Sequence, residues 1–380
     1  MKPALRLHLA FAGLGVTAAA FPAILPTAVV AHGDAALAAP GTLFAGLLVG
    51  VLLSGLLARS GRLARTLALG AALQAAGLLA APAAATAALF VAAAAISGVG
   101  FGITEAAGSA SARTVSRNAA HALTGLTTSV AAAAALTPLL VLGGAQVGAT
   151  GAVLVVFATV NAAACVAAAT AGRAFDEQPA RRGTATHARF GAAWVGFAIA
   201  LALYVGIESL LAGWSSAIPF ALLSADPAWA ALGTSAFWAC MALGRAGALT
   251  AARRGASSRD ILTVAGGGSA AMLVIAALTA AAYPVLSVSA VAATVVLLAP
   301  TYGQVLGLAL ERTGAARAVA VTGSLVACGA AGGALVPLAV LATGSAPGDP
   351  STFVIGAVLC AGWLAAVLVA LRVPDWARRA

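Results

Sequence analysis

The feature that most constrains this chain is a succession of long apolar runs separated by short polar links. A helix needs about 20 mostly apolar residues to cross a bilayer, and clusters of proline, glycine, aspartate or arginine mark the ends of twelve such runs. The predicted spans cover residues 5–30, 40–58, 63–81, 86–111, 119–142, 149–171, 190–213, 228–251, 261–282, 286–310, 315–341 and 351–371. Ten or eleven spans remain the alternative, because runs of alanine are only weakly hydrophobic.

The charged residues are too few for a soluble globule of this length. Only 8% of the 380 residues are charged and 62% are hydrophobic, whereas about 25% are charged in an ordinary soluble domain. This composition excludes a soluble enzyme and a disordered chain. The sequence therefore predicts an all-α membrane protein with twelve transmembrane helices.

The twenty lysines and arginines occur in alternate links. They lie at the N-terminus, in the links between spans 2–3, 4–5, 6–7, 8–9 and 10–11, and at the C-terminus, with Arg245 counted in the 8–9 region. The other links contain none. By the positive-inside rule, both termini are cytoplasmic and the protein is a multi-pass protein of the cell's cytoplasmic membrane. The net charge of +10 thus reports orientation and does not indicate a nucleic-acid partner.

The longest polar stretch, 173–189, divides the chain into two halves of similar pattern. We expect an N-terminal six-helix bundle at 1–172, a cytoplasmic linker at 173–189 and a C-terminal six-helix bundle at 190–380. The two halves echo each other at Arg113-Thr114, Thr124-Gly125 and Leu136-Thr137-Pro138-Leu139, and at Arg312-Thr313, Thr322-Gly323 and Leu335-Val336-Pro337-Leu338. Such a parallel repeat is typical of transporters, although chance similarity in a chain of low diversity is the alternative.

Several segments resemble motifs of one transporter superfamily. Ser54-Gly55-Leu56-Leu57-Ala58-Arg59-Ser60-Gly61-Arg62 resembles the major facilitator signature G-x-x-x-D-R-x-G-R, with serine and alanine in place of the first glycine and the aspartate. The resemblance to the sugar-permease branch, which includes fucose and glucose proton symporters, rests on Gly98-Val99-Gly100-Phe101-Gly102-Ile103-Thr104-Glu105, Tyr204-Val205-Gly206-Ile207-Glu208, Phe237-Trp238 with Gly244-Arg245, and Ala299-Pro300-Thr301-Tyr302.

That resemblance implies the major facilitator fold, two pseudo-symmetric six-helix bundles and proton coupling through the acid of the fourth helix. It also implies a cytoplasmic gate at Arg59, Gly61, Arg62 and Arg113. The chain departs from the branch at Ser109, at Gly303 and in having no acid in the first span. The identity of a sugar is therefore not transferable.

Two acids lie within predicted spans, where ionisable groups are costly and usually functional. Glu105 falls in the inner half of the fourth span, where a desolvated carboxyl can load and release a proton. The alternative is a structural ion pair with Arg59 or Arg113 at the inner gate. Glu208 falls in the outer half of the seventh span, and we expect it to bind substrate or form an outer gate. A structural carboxylate that caps broken helix is its alternative.

Neutral polar and aromatic side chains within the spans complete the expected substrate site. Aromatic rings stack on the apolar face of a sugar while amides and hydroxyls bind its hydroxyl groups. The candidates are Thr17, Asn161, Tyr204, Trp214, Trp238, Tyr302 and Gln304. Packing against lipid or at the interface is the commoner role of each aromatic.

The sequence as a whole favours a secondary transporter of a small, polar, sugar-like solute, coupled to protons and acting as a monomer. We expect no cofactor, metal or enzymatic activity. Proton-antiport efflux of drugs or secondary metabolites is the alternative. It is weakened because Thr137-Pro138-Leu139-Leu140-Val141-Leu142-Gly143-Gly144 lacks the glycine before proline that antiporters usually carry.

Overall fold

The computed structural model describes residues 2–57, 62–115, 119–171, 192–312 and 318–373, and the regular structure in these ranges is helical. Short 3-10 turns at Asp34–Ala38 and Ala81–Ala83 accompany the longer elements. The helices are α1 (Pro3–His32), α2 (Ala39–Leu57), α3 (Leu63–Ala80), α4 (Ala87–Val115), α5 (Ala119–Gln146), α6 (Thr150–Ala169), α7 (Ala192–Gly213), α8 (Ala217–Leu223), α9 (Pro227–Ala230), α10 (Leu232–Arg253), α11 (Ser258–Thr279), α12 (Pro284–Leu298), α13 (Thr301–Glu311), α14 (Ala318–Ala342) and α15 (Pro350–Arg372).

The helices match the predicted spans closely and confirm the all-α fold class. Eleven stretches of the described residues are long and apolar enough to cross a membrane, so the chain is a multi-pass membrane protein. The eighth predicted span is α10, whose 22 residues include Arg245 and several small polar side chains that lower its hydropathy. The tenth predicted span is divided into α12 and α13, and two short helices, α8 and α9, fill the link after α7.

The chain forms two compact units. Among the described residues, unit 1 contains α1–α6 together with residues 213–217 and 226–235, and unit 2 contains the remainder of 192–373. The link at 172–191 lies outside the described residues, so the predicted boundaries of the two bundles and their linker stay predictions.

Each unit pairs its six long helices in the same order. In unit 1, α1 packs on α5, α2 on α4 and α3 on α6. In unit 2, α7 packs on α14, α10 on α12 and α11 on α15. The first pair is close-packed through glycine in both units, at Gly15 against the Val130 carbonyl and at Gly332 against the Ala202 carbonyl. This repeated pairing is what two copies of one six-helix arrangement produce.

Prolines interrupt the helices at positions that matter for packing. Pro22 and Pro26 lie inside α1, and the missing N–H of Pro26 leaves the Pro22 carbonyl without its partner within the helix. The Ser216 hydroxyl donates a hydrogen bond to that carbonyl. In hydrocarbon, a backbone carbonyl that loses its partner within the helix needs another hydrogen-bond donor. The Ser216 hydroxyl supplies it, and this contact attaches segment 213–217 to unit 1.

Pro300 has a stronger effect than the kink expected from the sequence. It lies in the two-residue break between α12 and α13. The break falls within one candidate membrane span of residues 284–309, and there the Ala299 carbonyl accepts a hydrogen bond from Arg245 while the Pro300 carbonyl accepts one from the Gln304 N–H. Non-helical backbone within a span is tolerated where protein side chains or a water-filled space satisfy it.

Candidate functional site

Tyr204 and Glu208 form the starting point of a polar cluster in unit 2. They are four residues apart on α7 and so lie on one face, one turn from each other. Tyr204 is fully buried, while Glu208 is half-buried. The Tyr204 hydroxyl lies beside the Glu208 carboxyl but without a hydrogen bond of regular geometry. The two polar groups are therefore neighbours on one face of α7.

Arg245 supplies the positive charge opposite this carboxyl. It is the fourteenth of the 22 residues of α10, about 12 Å along the helix from Arg253 at its C-terminal end. The side chain is exposed, its Nε donates to the Ala299 carbonyl oxygen at 3.4 Å, and it acts electrostatically on Glu208. Arg245 thus lies in the interior of the helix that forms the eighth predicted span, and its assignment to the cytoplasmic side stays a prediction.

The helix break at Pro300 borders the same cluster. Tyr302, in the first turn of α13, is half-buried and acts electrostatically on Tyr204. Thr301 is fully buried, and its hydroxyl has no hydrogen-bond partner in the structure. Gln304 lies two residues beyond Tyr302, about 200° further around the helix, so the structure does not bring these two candidates to one face.

Two tryptophans extend the cluster with aromatic surface. Trp363 on α15 packs edge-on against Tyr204, with ring centroids 6.4 Å apart and an interplanar angle of 79°. Its Nε1 is buried without a hydrogen-bond partner. Trp238 lies seven residues before Arg245, which places it on the same face of α10 two turns away. Trp238 is half-buried and packs edge-on against Phe237.

Glu105 is an acidic side chain of unit 1 that lies within a candidate membrane span. It is exposed, although it lies in the interior of α4. Ile96, which is 41% exposed, lies nine residues earlier and hence on the opposite side of the helix. Glu105 therefore points away from the apolar side of α4. The adjacent Thr104 accepts a hydrogen bond from Gln74 Nε2 at 2.9 Å, which fixes α4 to α3.

Three other candidates in unit 1 are packed and do not reach open space in this structure. Asn161 is fully buried against Gly13 of α1 and donates to the Phe157 carbonyl of its own helix. Thr17 is also fully buried, one turn further along α1. Trp214 is buried, and its indole N–H donates to the Leu37 carbonyl oxygen at 3.4 Å. These contacts favour a packing role for all three.

The predicted cytoplasmic gate is described only in part. Arg59 and Gly61 lie outside the described residues. Arg62 is exposed and directly precedes α3, while Arg113 belongs to the last turn of α4, with its side chain outside the described set. Within the described ranges, no three His, Cys, Asp or Glu side chains come together in a way that could hold a metal ion.

Solved structures share this architecture over nearly the whole chain. The nucleoside transporter NupG matches with a TM-score of 0.69 and 13% identity, over 98% of this chain and 100% of that one. The D-xylose–proton symporter matches with a TM-score of 0.74 and 14% identity, over 98% and 97%. A variant of the E. coli fucose:proton symporter FucP matches with a TM-score of 0.62 and 17% identity, over 97% and 98%.

The chain has the major facilitator fold. The fold places α7, α10 and the α12–α13 break in one bundle, with Glu208 and Arg245 inside it. No family model and no curated protein matches the sequence. At such identities the structural likeness establishes the major facilitator fold, while the residues of this chain have to carry any argument about function.

Proposed function

We propose that the protein is a secondary active transporter that moves a small polar, sugar-like solute across the cytoplasmic membrane by alternating access. The observation that carries the proposal is that Arg245, in the interior of a long helix of a major facilitator fold and next to a broken helix, acts electrostatically on Glu208. Ionisable groups inside a membrane protein are costly and mark substrate or ion pathways. Broken helices mark the binding sites of many transporters.

Proton coupling is the second part of the proposal, and it rests on Glu105. Among the residues that the structure describes, this carboxyl has no ion-pair or hydrogen-bond partner. It lies on the side of α4 away from exposed Ile96. A carboxyl in this setting can take up a proton on one side of the membrane and release it on the other, provided that the protein opens to each side in turn.

The type of solute and the orientation complete the proposal. Solved structures of the same fold include symporters named for D-xylose and fucose, and tyrosine and tryptophan side chains surround Glu208 here. The distribution of arginine between links supports cytoplasmic termini. A single chain carries both units, which supports a monomer as the transporting species.

Solute movement in proteoliposomes under an imposed pH gradient tests the function and the role of Glu105 together. We expect wild-type protein to accumulate a sugar-like solute when the gradient is present and to equilibrate it when the gradient is collapsed. Glu105→Gln is expected to retain equilibration or exchange but to lose accumulation. Asp34→Asn, at an exposed acid in the α1–α2 link, is the matched control and should behave like wild type.

Two results would contradict different parts of the proposal. Accumulation by Glu105→Gln with unchanged dependence on the pH gradient would refute proton coupling through this carboxyl. Movement of solute only outward in exchange for protons would replace symport with the antiport alternative.

A further inference from the structure

Arg245 has more hydrogen-bond donors than the structure satisfies. It carries five N–H donors, and its hydrogen bond to the Ala299 carbonyl uses one of them at a long 3.4 Å. The Tyr204 hydroxyl, the Thr301 hydroxyl and Trp363 Nε1 are fully enclosed and reach no open space in this structure. The remaining N–H groups of Arg245 are therefore the donors that a bound group rich in acceptors would meet.

We propose that Arg245 binds a carboxylate group of the transported solute, and that Glu208 takes up a proton when this carboxylate binds. This inference rests on the proposed transport function and narrows its substrate class to hydroxylated carboxylates such as sugar acids. A carboxylate accepts about four hydrogen bonds and matches the planar fork of a guanidinium. A neutral sugar can form hydrogen bonds through its hydroxyl groups but carries no charge, so Glu208 alone would balance the charge of Arg245.

Charge balance explains why a proton accompanies the anion. Without solute, the Glu208 carboxylate is the counter-charge of Arg245. A second carboxylate at Arg245 would add a like charge in a medium of low dielectric constant, which is strongly unfavourable. Protonation of Glu208 removes this repulsion, so binding of the anion takes up one proton at this site, separate from the coupling proton proposed for Glu105.

Within the described residues, few other charges face Glu208 that could supply the balance instead. On its own helix the neighbour is Tyr204, which Tyr302 of α13 also faces, and α10 contributes Arg245. The face of α14 that packs against α7 presents small or apolar residues such as Gly332 and Val336. The charge of Arg245 must therefore be met by Glu208 or by the solute.

The aromatic side chains fit the remainder of such a solute. Trp238 lies on the face of α10 that carries Arg245, about 10 Å further along the helix. A ring at that distance can cover the apolar face of a polyol chain while the carboxylate is held at Arg245. The site thus suits a solute with one charged end and a hydroxylated body.

Binding and transport of D-gluconate, D-glucuronate and L-lactate, with D-glucose and sorbitol as neutral counterparts, test this assignment. In proteoliposomes we expect uptake of at least one carboxylate, driven by an inward proton gradient. Arg245→Gln should weaken carboxylate binding by tenfold or more in detergent. Arg245→Lys, which keeps the charge but not the fork, should recover part of it. Wild-type binding of the carboxylate should weaken as the pH rises, whereas Glu208→Gln should bind the carboxylate with little dependence on pH.

The outcomes separate this inference from the function on which it rests. Unchanged carboxylate binding by folded Arg245→Gln, or wild-type carboxylate binding that does not depend on pH, overturns the assignment. Proton-driven uptake of neutral sugars, with no binding of any carboxylate of the set, also overturns it but leaves the transport function standing. If no compound of either set moves in wild-type proteoliposomes, the proposed function itself fails. Helical content and thermal unfolding of each variant show that the loss is local.

Discussion

The close contact between α7 and α14 makes a sharp prediction about Gly332. A Cβ atom added at this position would lie 1.8 Å from the carbonyl oxygen of Ala202 and 2.4 Å from its carbonyl carbon. Ordinary van der Waals contact begins at 3.4 Å, so Gly332→Ala has to move the two helices apart by about 1.5 Å. The obstacle is backbone and cannot rotate away as a flexible side chain would.

The expected cost follows from two opposing effects. Overpacking in a close-packed interior costs roughly 1–3 kcal/mol, and the rigid backbone contact places Gly332→Ala toward the upper end of that range. Replacing glycine by alanine within a helix returns about 1 kcal/mol through helix propensity. We therefore expect a net loss of about 1–2 kcal/mol, together with displacement of the Glu208 carboxyl six residues further along α7 from Ala202.

Thermal unfolding in detergent measures this loss against a matched variant. Gly267, in the interior of α11, has nothing within 4 Å of an added Cβ. Gly267→Ala should therefore leave the midpoint unchanged or raise it slightly. Gly332→Ala should lower the midpoint by several degrees, at roughly 2–4 °C per kcal/mol. A midpoint for Gly332→Ala equal to or above that of Gly267→Ala would refute the close approach of the two helices.

Three further perturbations test contacts elsewhere in the molecule. Ser216→Ala removes the donor to the Pro22 carbonyl and should lower stability by about 1–2 kcal/mol in thermal unfolding, because the carbonyl is left unsatisfied. A double-mutant cycle of Gln74→Leu and Thr104→Val should give a coupling energy of about 1 kcal/mol for their buried hydrogen bond. Ser257→Ala removes the capping box at the start of α11 and should cost about 1 kcal/mol, with faster hydrogen exchange in the first turn of that helix.

Each of these expectations has a clear opposite. Ser289→Ala is the control, because it removes an exposed hydroxyl that bonds within its own helix. If Ser216→Ala lowers the stability no more than Ser289→Ala does, the Pro22 carbonyl has another partner. Additive effects of Gln74→Leu and Thr104→Val would mean that their hydrogen bond contributes nothing. Unchanged exchange at the start of α11 after Ser257→Ala would mean that the cap does not hold the first turn.

The spans could be predicted from the sequence because the thickness of the bilayer requires about 20 mostly apolar residues in a row, a pattern that few other structures produce. The break of the tenth span could not, because Pro22, Pro138 and Pro337 are accommodated inside helices whereas Pro300 ends one. The difference between these prolines depends on the residues that pack around each of them. The sequence of one chain does not show which residues these are.

The candidate site was half visible in the sequence. Tyr204 and Glu208 were found because an acid within an apolar run is rare. Arg245 is visible in the sequence only as part of the Gly244-Arg245 motif, and counting bases by link places it with the 8–9 region rather than among the candidate site residues. Thr17 and Asn161 are polar residues within predicted spans, but packing between helices buries their side chains. The residue type alone does not show whether a polar side chain lines a cavity or packs against a neighbouring helix.

The two units differ in a mechanical sense despite their common helix pairing. In unit 1, α4 runs as one continuous rod of 29 residues. Its counterpart in unit 2 is jointed, with α12 and α13 meeting at Pro300. Proline removes a helical hydrogen bond and is a common site of helix bending, whereas α4 contains no proline and no break. Any bending of this span in unit 2 is therefore expected at Ala299–Pro300, where it would move the first turn of α13 relative to Arg245.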